Sequence, residues 1–289
     1  AQPEVGGHFD SLEEVADYCE RMIEERETFP YEADGLVIKI DHLPTREALG
    51  SVGGRPRGAV AFKFPAQEAT TDLIDVEFSV GRTGVITPTA LLDPVTIAGV
   101  TVSRASLHNF DLIEERDIRI GDRVIVKRAG DVIPYVTGPI KDVREGGERE
   151  IHPPTHCPSC GEPIEHPKDE IAYYCINSAC PAQRVQKLIY FAHRLDVEGL
   201  GERTALQLVE QDLIHDPADL YTLKAEDLVA LEGFAEKKAQ NLIEAIASSK
   251  SQSYADVLAT LGIRGVGSTI AALLVDTFGS LSGLMTATE

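Results

Sequence analysis

No apolar run in this sequence approaches a membrane span; stretches such as Ala271–Val275 fall far short of the roughly 20 residues such a helix needs. An integral membrane protein is excluded on that ground. The start of the chain lacks both the basic segment and the apolar core of a secretory signal, so the sequence reads as cytoplasmic. Basic residues are in short supply: 27 Lys and Arg face 47 Asp and Glu, for a formal charge of −20. Phosphate binding ordinarily asks for the reverse. A net charge is only a sum, however, and a basic face can sit on an acidic body. The acids crowd the first thirty residues (Glu13, Glu14, Asp17, Glu20, Glu24, Glu25, Glu27), whereas Arg and Lys cluster elsewhere. Lysine is scarcer than arginine, which fits either adaptation to a salty cytoplasm or an ordinary acidic bacterial-type protein. No Ser-His-Asp or Cys-His nucleophile pattern is detectable, and isolated Gly-x-Gly pairs are too weak to define a dinucleotide loop. The chain opens on Ala1 rather than Met, as expected of a processed, trimmed or partial protein.

What is present is ordinary globular material, 43% apolar and 26% charged, in a chain of 289 residues. That length suggests two to four modules, and the composition excludes a disordered or fibrous chain. The cysteines are more informative. Cys157, Cys160, Cys175 and Cys180 form a C-x2-C-x14-C-x4-C pattern within a short window. With no export signal, disulfides are not expected, and two close pairs at this separation point to a tetrahedral zinc site. The first pair lies in Cys157-Pro158-Ser159-Cys160-Gly161, a knuckle whose glycine lets the backbone turn under the metal. His156 and His166 lie near enough to substitute, but four thiolates already complete the tetrahedron. No position is left open for water or substrate, so the zinc is structural. Cys19 reads as a buried apolar filler.

Residues 11 to 28 have the pattern of a helix, with Ser11 as N-cap and Leu12, Val15, Tyr18, Cys19, Met22 and Ile23 on one face. Two strands follow, at 35–40 and 59–64, joined by a loop rich in Gly and Arg. From Leu73 to about Val143, short β-rich runs broken by Gly and Pro (76–80, 84–91, 95–103 and 122–129) predict a small barrel or sandwich. Glu145-Gly-Gly-Glu with Pro153-Pro154 reads as a polar hinge. From Ala182 onward the pattern is helical, with no convincing strand. This last third holds an internal repeat. Gly199-Leu200-Gly201 is followed by Ala205, Gly233-Phe234-Ala235 by Ala239, and Gly265-Val266-Gly267 by Ala271, at a period near thirty-three residues. The repeat resembles the helix-hairpin-helix module, whose backbone N–H groups at the start of the second helix grip a DNA phosphate without sequence preference. Ala235 breaks the second glycine, so the middle copy is expected to be structural only.

Two lysines in apolar strands need a reason. Lys39 lies in Asp34-Gly-Leu-Val-Ile-Lys-Ile40 and Lys63 in Ala61-Phe-Lys-Phe-Pro65. An ammonium flanked by Ile, Val and Phe must reach water or meet an anion. Alternation places Lys39 on a face with Val37, and Lys63 on a face with Ala61. These frames resemble motifs IV and V of the nucleotidyltransferases that form lysyl-adenylate or lysyl-guanylate. Within that superfamily the sequence resembles the bacterial-type NAD-dependent DNA ligases over its whole length and in domain order. The matching residues include Ala66-Gln67-Glu68, Gly81-Arg-Thr-Gly84, Ser106-Leu-His-Asn109, Arg128-Ala-Gly-Asp-Val-Ile-Pro134 and Val197-Glu-Gly-Leu-Gly201.

The resemblance implies a multidomain α+β chain. Residues 1–68 would be the end of a nucleotidyltransferase (ATP-grasp-like) domain, 69–146 an OB-fold β-barrel, 150–184 a four-cysteine zinc finger, and 185–289 a truncated all-α helix-hairpin-helix domain. It implies a ligase that seals 5′-phosphate/3′-hydroxyl nicks in duplex DNA, with NAD as AMP donor, structural Zn2+ and catalytic Mg2+ or Mn2+. Lys39 and Lys63 would be catalytic, contacting the adenylate together with Asp34 and Val37. Arg82, Thr83, Arg128, Gly199, Gly201, Gly265 and Gly267 would contact nicked DNA, and the protein would act as a monomer. His108 and Asn109 are expected to form a turn. The departure is as informative as the match. The nucleophile of such ligases sits in Lys-x-Asp-Gly, but the residue two before Asp34-Gly35 is Glu32. The chain is therefore expected to be the middle and later part of a ligase, without the domain that takes up nicotinamide mononucleotide and without a BRCT domain, unable to adenylate itself. A non-catalytic, zinc-stabilised DNA-binding protein derived from a ligase is the alternative.

Overall fold

The computed structural model describes residues 6–31, 33–128, 133–263 and 265–287. The chain divides into two compact units, Ala1–Glu77 with Thr89–Ile151, and Phe78–Pro88 with His152–Glu289.

The first unit opens with helix α1 (Leu12–Glu25), which ends in a tighter turn over Arg26–Thr28. The Ser11 hydroxyl accepts the Glu14 N–H at 3.2 Å, relieving one of the orphan donors at the helix start. Cys19 and Met22 lie buried on its inner face, as the apolar spacing requires. Strand β1 (Gly35–Lys39) pairs antiparallel with β2 (Ala59–Lys63). Gly35 is fixed by close approach rather than by its dihedrals: a Cβ there would lie 2.2 Å from the Phe62 carbonyl oxygen.

Five strands then close a barrel: β3 (Gln67–Val80), β4 (Ile86–Ile97), β5 (Val100–Ser106), β6 (Arg123–Arg128) and β7 (Tyr135–Pro139). Their order around the barrel is β7-β5-β4-β3-β6, with β6 and β7 paired to complete the circle. Helix α2 (Phe110–Arg116) lies between β5 and β6 in sequence. A five-stranded barrel with this helix is the OB architecture. Leu73, Ala90, Val124 and Val126 are fully buried inside it. Strand β3 begins at Gln67 and not at Val76, because its alternation continues through polar residues, and the predicted run 95–103 is divided by a turn at Ala98 and Gly99, both at positive φ, into the end of β4 and the start of β5. Strand β7 falls inside the predicted β-rich region but matches none of its four runs, since Gly138 and the flanking Pro134 and Pro139 mask its pattern. Asn109 caps α2 by accepting the Leu112 N–H at 2.8 Å, and His108 takes φ +63° beside it, as expected of turn formers.

One charged knot holds the corner between α2 and β6. Asp122 is 1% exposed and accepts from Arg144 Nε at 2.6 Å and Nη2 at 2.8 Å. Arg144 also donates to Asp117 Oδ2 at 2.6 Å, and Arg119 Nε donates to Asp117 at 2.8 Å. These hydrogen bonds, from Arg144 first and then Arg119, hold the Asp117 carboxyl far below the usual carboxylate range. The Glu145–Glu148 stretch read as a hinge is tied down locally, with Glu148 accepting the N–H groups of Glu145 and Gly146 at 2.7 and 2.9 Å.

In the second unit a small ribbon (Ile164–Glu165 against Tyr174–Cys175) carries the cysteines. Helices follow: α3 (Pro181–Arg194), α4 (Glu202–Glu210), α5 (Glu236–Ser249), α6 (Tyr254–Thr260) and α7 (Ser268–Phe278). Leu188, Leu208, Ile214, Leu220, Leu228 and Leu242 form one core, while Leu258, Ala259 and Ala271 form a separate small one. Among the described residues no strand follows Cys175, and no helix is long and apolar enough to cross a membrane.

Removing Arg144 would leave the buried Asp122 carboxylate without its cation, with the Arg119 N–H at 2.7 Å as its remaining side-chain contact. Arg144→Ala should therefore lower stability by about 3–5 kcal/mol in chemical denaturation, and adding Asp122→Asn should recover part of that loss. Because the Asp117 carboxyl titrates lower in the folded chain than in the unfolded one, its contribution is complete above the ordinary carboxylate range. It should be lost as pH falls below that range, and Arg144→Ala should flatten that part of the stability–pH profile.

Candidate functional site

The β1–β2 register sets Gly35 opposite Lys63, Val37 opposite Ala61 and Lys39 opposite Ala59. Directly opposed residues share a face, so Val37, Lys39, Ala61 and Lys63 all project to one side. Lys39 lies four residues, roughly 13 Å, along the strand from the Gly35–Lys63 end. An ammonium thus stands at each end of the ladder, with an apolar side chain between them. Val37 is 63% exposed on that face. The Lys63 ammonium bonds the Asp34 carboxylate, and that bond holds the Asp34 carboxyl below its ordinary value. Both partners remain more than half exposed, so the pair adds little to stability. Its effect is to orient Lys63. Glu32 lies outside the described residues.

The four cysteines converge as their spacing predicts. Their sulfurs all lie within 4.8 Å of one another, and no histidine belongs to the group. Cys157 and Cys180 are 3.9 Å apart and Cys160 and Cys175 3.6 Å, close to the ~3.8 Å edge of a tetrahedron with Zn–S bonds near 2.3 Å. All four are free thiols, not disulfides. Gly161 takes φ +74° and donates its N–H to the Cys157 carbonyl at 2.9 Å, which makes the knuckle. Burial pushes the Cys175 thiol up to about 12 and raises Cys157 as well. Burial also opposes ionisation of Cys160, but hydrogen bonds from the Glu162 backbone, Asn177 and the other thiols outweigh it and bring Cys160 down to about 7. His166 is engaged elsewhere, stacked on Tyr173 with ring centroids 4.0 Å apart. Cys19 is 3% exposed and apart from this group, the buried filler expected.

The three repeats share one backbone. Gly199, Gly233 and Gly265 take φ of +86°, +78° and +79°. The third residue of each, Gly201, Ala235 or Gly267, is extended and caps the following helix, with φ between −88° and −97°. Ala205, Ala239 and Ala271, all 0% exposed, mark where each helix packs against its neighbour. The alanine in the middle copy does not distort that hairpin. Nothing lies within 4 Å of a Cβ placed on Gly201 or Gly267, so the chain itself does not require glycine there. The second glycine is instead compatible with something external approaching the backbone closely.

Arg82 and Thr83 lie at the tip of the Phe78–Pro88 hairpin. They line an open groove together with Tyr174, Tyr190 and the third hairpin, Gly265–Gly267. The Arg82 guanidinium sits 4.2 Å over the Tyr190 ring. Two of the regions expected to meet DNA therefore adjoin. Arg128 differs: β6 alternates, burying Val124, Val126 and then Arg128, which is 9% exposed. Residues 129–132 of its loop lie outside the described residues. Sequence reasoning missed Tyr190 and Gln183, both read as ordinary helix positions. The signal for Gln183 was present, as a polar residue on the apolar face of α3, three residues after Cys180.

A lysine-bearing ladder, an OB barrel, a four-thiol metal site and tandem glycine hairpins, in that order, define the nucleotidyltransferase–OB class of modular proteins. The comparisons narrow this. Residues 4–67 match the NAD-dependent DNA ligase adenylation domain, 70–148 the NAD-dependent DNA ligase OB-fold domain, and 156–182 the NAD-dependent DNA ligase C4 zinc finger domain. Residues 191–248 match a SAM-like helix-hairpin-helix tandem, which covers the first two hairpins. The chain is 52% identical over 284 residues to a DNA ligase of Chloroflexus aurantiacus, spanning 97% of this chain and 40% of that protein. It is 50% identical over 282 residues to one of Bacillus anthracis (97% and 42%). It is 48% identical over 280 residues to one of Oceanobacillus iheyensis (96% and 42%). The chain belongs to the NAD-dependent DNA ligase family, and it spans about 40% of the length of these curated relatives.

Elemental analysis of the purified chain should find about one zinc per molecule, and Cys175→Ser should retain well under half of it, because three thiolates do not close a structural site. Chelation should unfold the Cys157–Cys180 segment, since binding of the metal supplies its folding energy.

Proposed function

We propose that this chain supplies the adenylate-binding floor and the DNA grip of an NAD-dependent DNA ligase, an enzyme that seals 5′-phosphate/3′-hydroxyl nicks through a lysyl-adenylate and a DNA-adenylate. The observation that carries the reading is the exposed ladder face holding Val37 between Lys39 and Lys63, with Asp34 at its corner. NAD is the substrate that donates AMP. Val37 packs on the adenine, and Lys39 lies by the base and the α-phosphate. Lys63, oriented by Asp34, neutralises the phosphate as charge moves during transfer. Phosphoryl transfer is mostly positioning and charge neutralisation, which is work suited to fixed ammonium groups. Mg2+ or Mn2+ does not fit a protein cage here. The described residues bring three or more ligating side chains together only at the cysteines, and Asp34 is engaged with Lys63. The ion would be held mainly by phosphates and water, and no step is derived through it.

Nicked duplex DNA would be held by the N–H groups of the hairpins at Gly199–Gly201 and Gly265–Gly267, with Arg82 and Thr83 beside the latter. Such contacts reach phosphates and not base edges, so binding would be independent of sequence. Arg128, also expected at the DNA, is 9% exposed at the end of β6 and would offer it only a small part of its side chain. The enzyme would work in the cytoplasm as a monomer. The alternative, a non-catalytic DNA-binding protein, draws on Glu32 standing where the Lys-x-Asp-Gly frame has lysine. A natural reading frame that carries a Lys-x-Asp-Gly segment ahead of these residues favours the enzyme, and one that begins without it favours the alternative.

Incubated with labelled NAD and Mg2+, this chain should form no covalent adenylate. In a complete ligase that contains these residues, Lys63→Ala should cost roughly 2–4 kcal/mol in single-turnover adenylation, the scale for removing one preorganised charge partner. Lys39→Ala should cost at least as much. Rates within about threefold of wild type would mark both as bland surface lysines and sink the reading.

DNA affinity should fall linearly in log–log terms as salt rises, with no preferred sequence, and Arg82→Ala should lower the slope by about one. A flat response in a folded chain would count against DNA binding.

A further inference from the structure

The segment Gly84–Ile86 finds its hydrogen-bond partners some ninety residues downstream. The Cys175 N–H donates to the Gly84 carbonyl at 2.8 Å, and the Ile86 N–H donates to the Tyr173 carbonyl at 2.8 Å. Val85 and Tyr174 form an antiparallel bridge, while Tyr174–Cys175 pairs on its other edge with Ile164–Glu165. The cysteine ribbon is thus three-stranded, and its third strand comes from the Phe78–Pro88 hairpin.

The fit around that strand is tight. Gly84 takes φ +84°, and a Cβ on it would lie 2.2 Å from the Cys175 carbonyl oxygen and 3.1 Å from Gln183 Nε2. Gln183, 5% exposed, donates to the Cys175 carbonyl at 2.8 Å and to the Asn177 carbonyl at 3.1 Å. Three groups therefore fix the backbone of one metal ligand. Two residues before Gly84, Arg82 lies against Tyr190, and its Nη1 is 3.1 Å from where a Cβ on Gly262 would stand.

We propose that Gly84–Ile86 is a working part of the metal module: Gly84 and Gln183 govern how tightly zinc is retained, and bound zinc in turn holds Arg82 on Tyr190. The coupling runs through the Cys175 backbone. Displacing the Gly84 strand frees a ligand, and releasing the metal frees the strand and the arginine beside it.

The test uses the zinc-loaded 289-residue chain and two readouts: zinc transfer to the chromogenic chelator 4-(2-pyridylazo)resorcinol, and the rate of tryptic cleavage after Arg82 followed by mass spectrometry. Residues that orient metal ligands typically change affinity 10–100-fold when altered, so Gly84→Ala should release zinc at least about tenfold faster, and Gln183→Leu should shift in the same direction. Cleavage after Arg82 should rise in both variants while cleavage after Arg203, in the first turn of α4, stays at the wild-type rate. Zinc release and Arg82 protection unchanged in both variants would overturn the proposal, as would equal acceleration at Arg82 and Arg203, which marks general unfolding. If Gly84→Ala fails to fold, Gln183→Leu carries the test with a third arm. Wild-type chain stripped of zinc, under conditions that preserve its helical circular dichroism, must expose Arg82, and continued protection there defeats the coupling.

Discussion

Four sulfurs within 4.8 Å of one another cannot all be anionic without a cation between them. Two unit charges 4 Å apart in a protein environment repel by about 4 kcal/mol, and six such pairs exist among four thiolates. Either the thiols stay protonated, as the raised Cys157 and Cys175 values favour, or a divalent metal takes the protons' place. In the first case the segment from Cys157 to Cys180 has little apolar side chain to hold it together. In the second, one ion fixes the knuckle at Gly161, the ribbon at Cys175 and the N-cap of α3 at Cys180. Helix α3 then carries Leu188, Phe191 and Ala192 into the helical core and presents Tyr190 to Arg82. Much of the second unit is therefore positioned from this one centre.

The glycines of this chain serve two different physical purposes. Gly199, Gly233 and Gly265 are needed for a left-handed backbone at the hairpin turns, a conformation that costs other residues energy. Gly35 and Gly84 are needed for closeness, because a carbonyl oxygen stands where a Cβ would be. Gly201 and Gly267 fit neither reason within the chain. Ala235 occupies the equivalent position with the same extended backbone, which demonstrates that the conformation alone does not demand glycine. A hairpin amide meets a phosphate at hydrogen-bond distance, and a methyl group beside it would crowd that approach. On the proposed DNA-gripping role, the contrast between the outer copies and the middle one would be a difference in external clearance and not in fold.

The legible parts of the sequence were those governed by local rules. The apolar spacing and Ser11 located α1, alternation located β1 and β2, and the cysteine spacing gave the complete ligand set. What escaped was non-local. Strand β7 lacks a pattern of its own and forms because β6 needs a partner to close the barrel. Arg128 is expected from the resemblance to meet DNA, yet the period-two phase set by Val124 and Val126 turns most of its side chain inward. Arg144 drew no attention in the sequence, although it is the cation that makes Asp122 tolerable inside the corner. The ladder face of Val37, Lys39 and Lys63 stood between these extremes. Each strand's phase was readable, but only the register, with Lys63 opposite Gly35, shows that the two lysines share a face.

The acidic total of −20 conflicts with phosphate binding only if cations do all of the binding. Many of the acids work internally. Asp117 and Asp122 neutralise Arg144, while Asp216 and Glu148 accept backbone N–H groups at a helix start and a turn. The hairpins meanwhile offer amides, which bind an anion without a formal charge. Amide contacts add affinity and orientation but release few counterions, whereas each Arg or Lys at a phosphate releases about one. An acidic protein can therefore hold a polyanion, provided its few cations sit where the amides already position the backbone. In the proposed DNA grip, Arg82, placed beside the Gly265–Gly267 hairpin by Tyr190 and the cysteine ribbon, would meet that condition.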